Sequence, residues 1–229
     1  MTRGYHDIGG LPGGPIELEE RSMAFWERRM EAMRDCLART RPPVMTVDEM
    51  RRAIESFGEQ TYNTLAIYER KAAAMRDILI EKGVVKQAEL ERRVVQVRER
   101  RAAAIRELPK QFDHTHDHEN IKDEDLNPSE YDLISEAIYD SLLEQGVLSA
   151  DEVRRMVERM EGAGPATGAR IVARAWSDPA FKQRLLTNAK AALTELGIEP
   201  LETQLIVVEN TAAVHNVIVC TLCSCYPRS

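Results

Sequence analysis

The sequence is organised around the stretch Cys220-Thr221-Leu222-Cys223-Ser224-Cys225-Tyr226-Pro227-Arg228-Ser229, which holds three of its four cysteines. A structural zinc site takes four ligands, usually two Cys-x-x-Cys pairs or one pair with histidines, and this chain has no second pair. An iron–sulfur cluster takes four cysteines, whereas the remaining one, Cys36, is remote in sequence. The pattern Cys-x-x-Cys-Ser-Cys therefore indicates a metal site of another kind.

The residues from Cys220 to Cys225, named the claw motif below, can bind one metal ion through backbone and side chains together. If the amides of Ser224 and Cys225 lose their protons, both nitrogens can join the sulfurs of Cys223 and Cys225 in one plane. The sulfur of Cys220 then binds from one side, and the sixth position stays open for water or substrate. Because amidate and thiolate are strong donors, we expect a low-spin trivalent ion, cobalt or iron. A reduced cysteine cluster or a redox pair is the alternative.

The claw motif and the residues before it resemble the metal-site segment of the nitrile hydratase α subunit and of the related thiocyanate hydrolase γ subunit. The similar residues are Glu209-Asn210-Thr211, Val214-His215-Asn216 and Val217 to Pro227. The resemblance implies that the metal ligands are Cys220, Cys223, Ser224 and Cys225, with Cys223 as cysteine sulfinic acid and Cys225 as cysteine sulfenic acid.

The residues beside the cysteines bear on the identity of the metal. In the family, Thr after the first cysteine and Tyr after the last are typical of the cobalt type, and this chain has Thr221 and Tyr226 there. The resemblance therefore implies low-spin Co(III), with Fe(III) as the alternative.

The first half of the chain resembles the nitrile hydratase β subunit. The stretch Tyr5 to Ile16, too rich in Gly and Pro for a helix, resembles the His-Asp-x-Gly-Gly start of that subunit. The segment 48–55 resembles the part whose arginine hydrogen-bonds the oxidised cysteines, which a guanidinium can bind through two donors. The resemblance makes Arg51 a catalytic residue together with Cys225. Taken alone, Arg51 and Glu55 lie one helical turn apart and predict an ordinary surface ion pair.

This chain matches only part of the segment that lines the substrate pocket in the family. The family carries Tyr-Tyr-Glu-x-Trp, whereas this chain has Ile67-Tyr68-Glu69-Arg70-Lys71, without the first Tyr and the Trp. We therefore expect only structural roles for Tyr68 and Glu69.

The predicted fold class is mainly α with a small β component (α+β), in which helical arms lead into an α-subunit-type metal-site domain. Residues 77–85 and 140–148 both predict a helix that ends at a glycine and is followed by another helix, so the two hairpins are expected to pack together. Capping boxes are predicted at Thr46-x-x-Glu49 and Ser149-x-x-Glu152. One continuous helix is predicted from Pro179 to Gly197.

Core and strand residues are also predicted. A helix over 19–39 carries an apolar stripe that we expect to be buried, with Cys36 buried and inert: Met23, Phe25, Trp26, Met30, Met33, Cys36 and Leu37. Trp176 is expected in the core. Leu205 to Val208 and Val217 to Val219 are β-branched runs that predict strands.

Three regions are predicted: a β-subunit-like region over 1–109, a His- and acid-rich linker over 110–127, and an α-subunit-like region over 128–229. The linker contains His114, His116 and His118, whose spacing allows either a solvated segment or metal capture during loading. Family members continue beyond the claw motif, so we expect a truncated reading frame or fragment. A short protein that needs partner chains is the alternative.

Charge and apolar runs in the sequence restrict the expected cellular location and the classes of partner. The formal net charge of −7 gives no argument for nucleic-acid binding. No apolar run approaches the roughly 20 residues of a membrane span, and no signal-peptide core is present, so we expect a cytoplasmic protein that does not bind membranes. A homo- or hetero-oligomer with a chain that supplies the remaining β-type part is expected, with a metallochaperone or activator as a further partner.

The predicted function is that of a nitrile hydratase, a hydro-lyase that converts a small nitrile to its amide. The first alternative is a thiocyanate hydrolase, which uses the same claw motif and whose β subunit resembles residues 5–105. The second is a non-catalytic leader of a peptide precursor, which would not need intact metal ligands.

Overall fold

A computed structural model describes residues 4–7, 22–107, 128–162, 164–199 and 204–217. All regular structure within these ranges is helical, which confirms a mainly α fold. The helices are α1 Phe25–Arg39, α2 Val47–Glu55, α3 Glu59–Thr64, α4 Ile67–Glu81, α5 Gln87–Glu107, α6 Glu130–Glu144, α7 Ala150–Gly162, α8 Pro165–Ser177, α9 Pro179–Thr187 and α10 Ala189–Glu195. The described residues form two compact units, one up to Val157 and one from Glu158 onward.

The first unit is a bundle in which α6 packs against α1, α4 and α5, and α2 packs against α4. Apolar side chains from these helices fill its interior, because their helical spacing puts them on one face of each helix. The largest fully buried ones are Tyr62, Met30, Met33, Leu37, Met45, Ile54, Met75, Ile78, Leu79, Ile138 and Leu142. Most of the stripe predicted on α1 is therefore in the core. Phe25 is an exception, since it is 60% exposed at the first residue of α1.

The two predicted hairpins are present and share one helix ending. Gly83 after α4 and Gly146 after α6 both have positive φ, at 68° and 65°. This conformation lets the next residue return a hydrogen bond to the helix, from Val84 N to Leu79 O and from Val147 N to Leu142 O. The chain then reverses into α5 and α7, and α6 packs on both helices of the first hairpin.

Both predicted capping boxes form. The Thr46 hydroxyl accepts from Glu49 N at 3.3 Å, and the Glu49 carboxylate accepts from Thr46 N at 2.8 Å. Ser149 and Glu152 make the same reciprocal pair at 3.2 Å and 2.8 Å. The first pair fixes where α2, the helix that carries Arg51, begins, and the second fixes the start of α7.

A network of ion pairs joins α5 to α6. The Arg101 guanidinium donates to both oxygens of the buried Asp132, at 2.6 and 2.8 Å, and also binds Glu136. Arg100 and Arg29 surround the same Glu136 carboxylate. Burial acts to raise the pKa of Glu136, but the hydrogen bonds from Arg100 and Arg101 outweigh it and leave that pKa below its usual range.

The second unit has a much smaller core. Phe181, Leu185, Ala189 and Ala192 are buried together on α9 and α10, and a second group packs against them: Ile171, Ala175, Leu196 and Val207. The single helix predicted from Pro179 to Gly197 is wrong, because the chain breaks at Asn188. The Asn188 side chain accepts from Ala191 N at 3.2 Å and so starts α10 as a new helix.

Two further predictions fail in this unit. Trp176 is 82% exposed and does not join the core, since α8 turns Ile171 and Ala175 toward the buried group instead. Residues 205–208 form no strand; their β-branched side chains favour extended backbone, but a strand also needs a neighbouring backbone to bond with. Of the second predicted strand only Val217 is described, and it is not in a strand. The small β component is thus not found in the described residues.

Among the helices that the structure describes, none combines the length and apolar character needed to cross a membrane.

Candidate metal centre

The ligands predicted for the metal, Cys220, Cys223, Ser224 and Cys225, lie outside the described residues, as does the His114 to His118 run. In the described ranges no three His, Cys, Asp or Glu side chains come together to hold a metal ion. The donor set of the claw motif remains chemically suited to one: thiolates and deprotonated amides in a six-residue stretch favour a trivalent cobalt or iron ion.

Just before the claw motif, residues 209–216 form a closed loop, named the 209–216 loop below. Asn210 Oδ1 accepts from Asn216 N at 2.8 Å and from Asn216 Nδ2 at 3.0 Å. Asn216 Nδ2 also donates to Glu209 O at 2.8 Å. At the tip, Thr211 Oγ1 accepts from Val214 N at 3.1 Å, and Thr211 N donates to Val214 O at 2.8 Å. These bonds hold the two ends of the loop side by side.

The 209–216 loop is attached to the second unit at its first end. Lys182 on α9 forms an ion pair with Glu209, and Val207, two residues earlier, packs against the core around Phe181. The loop thus joins the packed part of this unit to the segment that begins at Val217 and continues into the claw motif.

Arg51 lies on α2 with 18% of its side chain exposed. Its Nη1 is 4.0 Å from the exposed carboxylate of Asp48, the limit of an ion pair. Its Nε is buried and has no acceptor among the described residues. A buried donor without an acceptor costs about 1–3 kcal/mol, so this guanidinium retains hydrogen-bonding capacity for a further anionic group.

The neighbouring Arg52 differs in each respect. Its side chain is 54% exposed, and its Nη2 donates to Glu81 Oε2 at 2.7 Å in a surface ion pair. The two arginines therefore differ in exposure and in their partners, and the catalytic role of Arg51 stays a prediction. The ion pair predicted between Arg51 and Glu55 is wrong: Arg51 points toward Asp48, one turn earlier on α2.

Tyr5, from the N-terminal stretch, packs at the end of α2. Its hydroxyl donates to Glu55 O and accepts from Gly58 N at 3.0 Å. Its ring lies 5.3 Å from that of the buried Tyr62. The His-Asp-containing start of the chain is therefore tied to the helix that carries Arg51.

The segment 67–71 has structural contacts. Glu69 accepts from Ala66 N at 2.9 Å at the start of α4, the buried Arg70 lies over the Tyr62 ring, and Lys71 forms an ion pair with Glu31. For Glu69 this agrees with the expected structural role.

Cys36, the cysteine outside the claw motif, is buried as predicted. Burial raises the pKa of its thiol to about 11, and the charges of Glu152 and Asp35 add to the increase.

A cavity of about 680 Å³ lies between α4, α5 and the start of α6. Its lining includes the buried apolar side chains of Leu90 and Ile134 and exposed carboxylates such as Glu91. Arg51, the described residue that is predicted to act in the metal site, does not line it.

Sequence reasoning used Asn210, Thr211 and Asn216 only to identify the motif, and Tyr5 only as part of a Gly-rich stretch. The residue types did contain a signal for the 209–216 loop, because Asn and Thr side chains often hydrogen-bond to nearby backbone amides in loops. The spacing of Asn210 and Asn216 in the sequence does not determine which amide group each side chain hydrogen-bonds to.

Comparison with known proteins extends over nearly the whole chain. The profile described as "Nitrile hydratase beta subunit, N-terminal" matches residues 1–125, more than half of the sequence, and "Nitrile hydratase, alpha chain" matches residues 129–229. The chain belongs to the nitrile hydratase family. It thus contains, one after the other, regions similar to two different subunits of that family.

Individual nitrile hydratase relatives match part of the chain. The low-molecular weight cobalt-containing nitrile hydratase subunit alpha of Rhodococcus rhodochrous is 51% identical over 88 residues, which is 38% of this chain and 42% of that subunit. The cobalt-containing nitrile hydratase subunit alpha of Pseudonocardia thermophila is 50% identical over 93 residues, covering 40% of this chain and 46% of the subunit.

Thiocyanate hydrolase subunit beta of Thiobacillus thioparus is 35% identical over 103 residues, 44% of this chain and 64% of the subunit. The chain spans less than half the length of the two nitrile hydratase relatives. No solved structure gives a significant match.

Proposed function

We propose that this chain provides the metal site of a cobalt-type nitrile hydratase, which adds water to a small nitrile and yields the amide. One observation carries the proposal: the match to the nitrile hydratase alpha chain continues through the claw motif, with all its ligand residues present. The relatives whose names contain cobalt favour cobalt over iron, as do Thr221 and Tyr226.

The proposed ligands are Cys220, Cys223, Ser224 and Cys225, with Cys223 as sulfinate and Cys225 as sulfenate. A trivalent cobalt ion bound there would supply Lewis-acid polarisation of the nitrile. The Cys225 sulfenate oxygen would act as the base that takes a proton from water, whose oxygen then bonds to the nitrile carbon. Alternatively it would act as the nucleophile toward that carbon, and a water molecule would then replace it on the Cys225 sulfur as the S–O bond breaks. Either route consumes one water, whose two protons end on the nitrogen, and restores the sulfenate.

Arg51 is proposed to hold the Cys225 oxygen in position. Its buried Nε has no acceptor among the described residues, and its contact with Asp48 is weak, so donors remain for an oxygenated thiolate. The partner that completes the site is proposed to be another chain, either a second copy or a subunit with the remaining β-type part. The division into a 1–109 region, a 110–127 linker and a 128–229 region is part of this proposal.

The metal proposal is tested by native mass spectrometry of protein purified from cells supplied with cobalt. The expected result is one cobalt per chain, with added oxygen mapping to Cys223 and Cys225. A metal-free, unoxidised chain from such cells would contradict it.

Arg51 is tested by replacement with Lys, with Arg52→Lys as the matched control on the same helix. Lys keeps the charge but loses the two-donor fork. Arg51→Lys is expected to lower nitrile turnover while cobalt stays bound, and Arg52→Lys to leave turnover unchanged. Equal turnover of both variants in the complete assembly would remove Arg51 from the mechanism.

A thiocyanate hydrolase is the second candidate, favoured by the match to the thiocyanate hydrolase subunit beta. Turnover of thiocyanate and of a small aliphatic nitrile by the same cobalt-loaded preparation separates the two. A leader of a peptide precursor is the third candidate, and proteolytic release of a C-terminal peptide would favour it.

A further inference from the structure

Asn216 closes the 209–216 loop by donating hydrogen bonds from both its side chain and its backbone. Asn216 donates twice from its side-chain amide, to Glu209 O and to Asn210 Oδ1, and once from its backbone, again to Asn210 Oδ1. These distances lie between 2.8 and 3.0 Å, which is normal for strong N–H···O bonds.

The pattern fixes the orientation of both side-chain amides. A backbone N–H can only donate, so the Asn210 atom that faces Asn216 N must be the oxygen. The Asn216 side-chain atom between that oxygen and the Glu209 carbonyl must then be the nitrogen. Asn216 is thus required as a donor and Asn210 as an acceptor, although the two residues are chemically identical.

The loop directly precedes, in the chain, the segment that leads into the claw motif. Its first end is held on α9 by the pair between Lys182 and Glu209, and Asn216 ties its second end to the first. Cys220 follows Asn216 by four residues, so covalent geometry limits its Cα to within about 14 Å of that of Asn216.

We propose that Asn216 is a positioning residue for the claw motif: by closing the 209–216 loop it fixes the start of the segment that carries the metal ligands. This inference rests on the proposed function, because it assigns a role toward the same metal. The expected effect is preorganisation of the metal site. If metal binds only chains whose loop is closed, the apparent metal affinity falls in proportion to the fraction of chains with a closed loop.

The two asparagines provide a matched pair of variants. Asn210→Asp keeps the acceptor oxygen, whereas Asn216→Asp replaces the donor by a carboxylate that faces the Glu209 carbonyl and Asn210 Oδ1. Both variants have the same shape and the same added charge. Asn188→Ala is a third variant, which removes the cap of α10 and weakens the second unit without touching the loop.

The experiment is an anaerobic titration of the metal-free, full-length chain with Co(II), followed by thiolate-to-cobalt absorption. Loss of about two hydrogen bonds from the loop predicts about tenfold weaker Co(II) binding by Asn216→Asp. Asn210→Asp and Asn188→Ala are expected to bind within about twofold of the wild type. Hydrogen exchange at the amides of Thr211, Val214 and Asn216, which donate within the loop, reports loop closure independently of metal.

Each outcome is decisive. Asn216→Asp that exchanges fast at the loop amides but binds Co(II) as tightly as the wild type would overturn the positioning role and leave the proposed function intact. Equal weakening in Asn188→Ala would assign the effect to general destabilisation and also overturn it. A wild-type chain that binds no Co(II) would overturn the proposed function, and this inference with it.

Discussion

The two compact units bury their apolar residues very differently. The first unit has long helices, a core of large buried side chains from α1, α2, α4 and α6, and a partly buried ion network. The second has short helices, a core of four buried residues and a loop held by polar bonds. Most of the large exposed apolar side chains also belong to the second unit: Val172, Trp176, Leu205, Ile206, Val208, Val214 and Val217.

This difference teaches that helix content and stability are separate properties here. The regular structure described in both units is helical, yet burial of apolar area, which supplies most of the folding free energy, is concentrated in the first. Each buried side chain of the second unit therefore carries a larger share of that unit's stability. The proposed metal ligands follow directly on this thinly packed unit.

The largest effect is expected from Phe181→Ala in the second unit. Phe181 is 1% exposed at the centre of the small core, and removal of a buried Phe costs about 3–5 kcal/mol. Trp176→Ala, five residues earlier, removes a larger ring that is 82% exposed, so little change is expected. Chemical denaturation with hydrogen exchange at α9 and α10 measures both. Similar losses for the two variants would mean that Trp176 packs against other residues after all.

The next effect is expected in the ion network of the first unit. Arg101→Ala leaves the buried Asp132 without its two-donor partner, which costs about 3 kcal/mol for a largely buried pair. The control is Arg155→Ala, which breaks an exposed pair with Asp151 and is expected to leave the unfolding midpoint unchanged. A midpoint for Arg101→Ala that equals that of the control would show that the network contributes no stability.

A smaller effect compares two valines on α5. Val97 is fully buried against the first unit's core, and Val95, half a turn earlier, is 50% exposed. Val97→Ala is expected to cost about 2 kcal/mol, from two lost methyl groups and a small cavity, and Val95→Ala less than about 0.5 kcal/mol. Urea unfolding of both variants measures the difference. A loss for Val95→Ala as large as that for Val97→Ala would place the exposed side of α5 in a contact.

The sequence predicted best those features that a few neighbouring residues determine. Gly83 and Gly146 ended their helices as predicted, and the pair Thr46 and Glu49 capped α2, because these signals act over one turn. The residues just before the claw motif were recognised from sequence as part of the family motif. The structure adds that Asn216 closes a loop there.

Features that depend on remote neighbours were predicted poorly. Trp176 was expected in the core because it is a large apolar residue, but burial depends on what packs nearby, and Ile171 and Ala175 are the α8 residues that pack against the buried group. Arg51 has carboxylates one turn away on both sides, and local spacing could not choose Asp48 over Glu55. The proposed metal ligands were predicted from the thiolate and amidate chemistry of their residue types and from the family resemblance, and they lie outside the described residues, so they stay a prediction.

The smallest effect is the acid sensitivity of the first unit. The pKa of Glu136 lies below its usual value of 4.5 in the folded chain, because hydrogen bonds from Arg100 and Arg101 overcome the opposing effect of burial. A lowered folded pKa means that the unfolded chain binds this proton more readily, so the stabilising contribution is complete above pH 4.5 and is lost as the pH falls through the folded value.

Glu136→Gln removes this contribution at every pH. The stability difference between wild type and Glu136→Gln, measured by thermal unfolding from pH 7 downward, is therefore expected to be largest near neutrality and to shrink below pH 4.5. A difference that does not change with pH would mean that Glu136 acts through packing rather than charge, and the first unit would then differ from the second in the size of its apolar core alone.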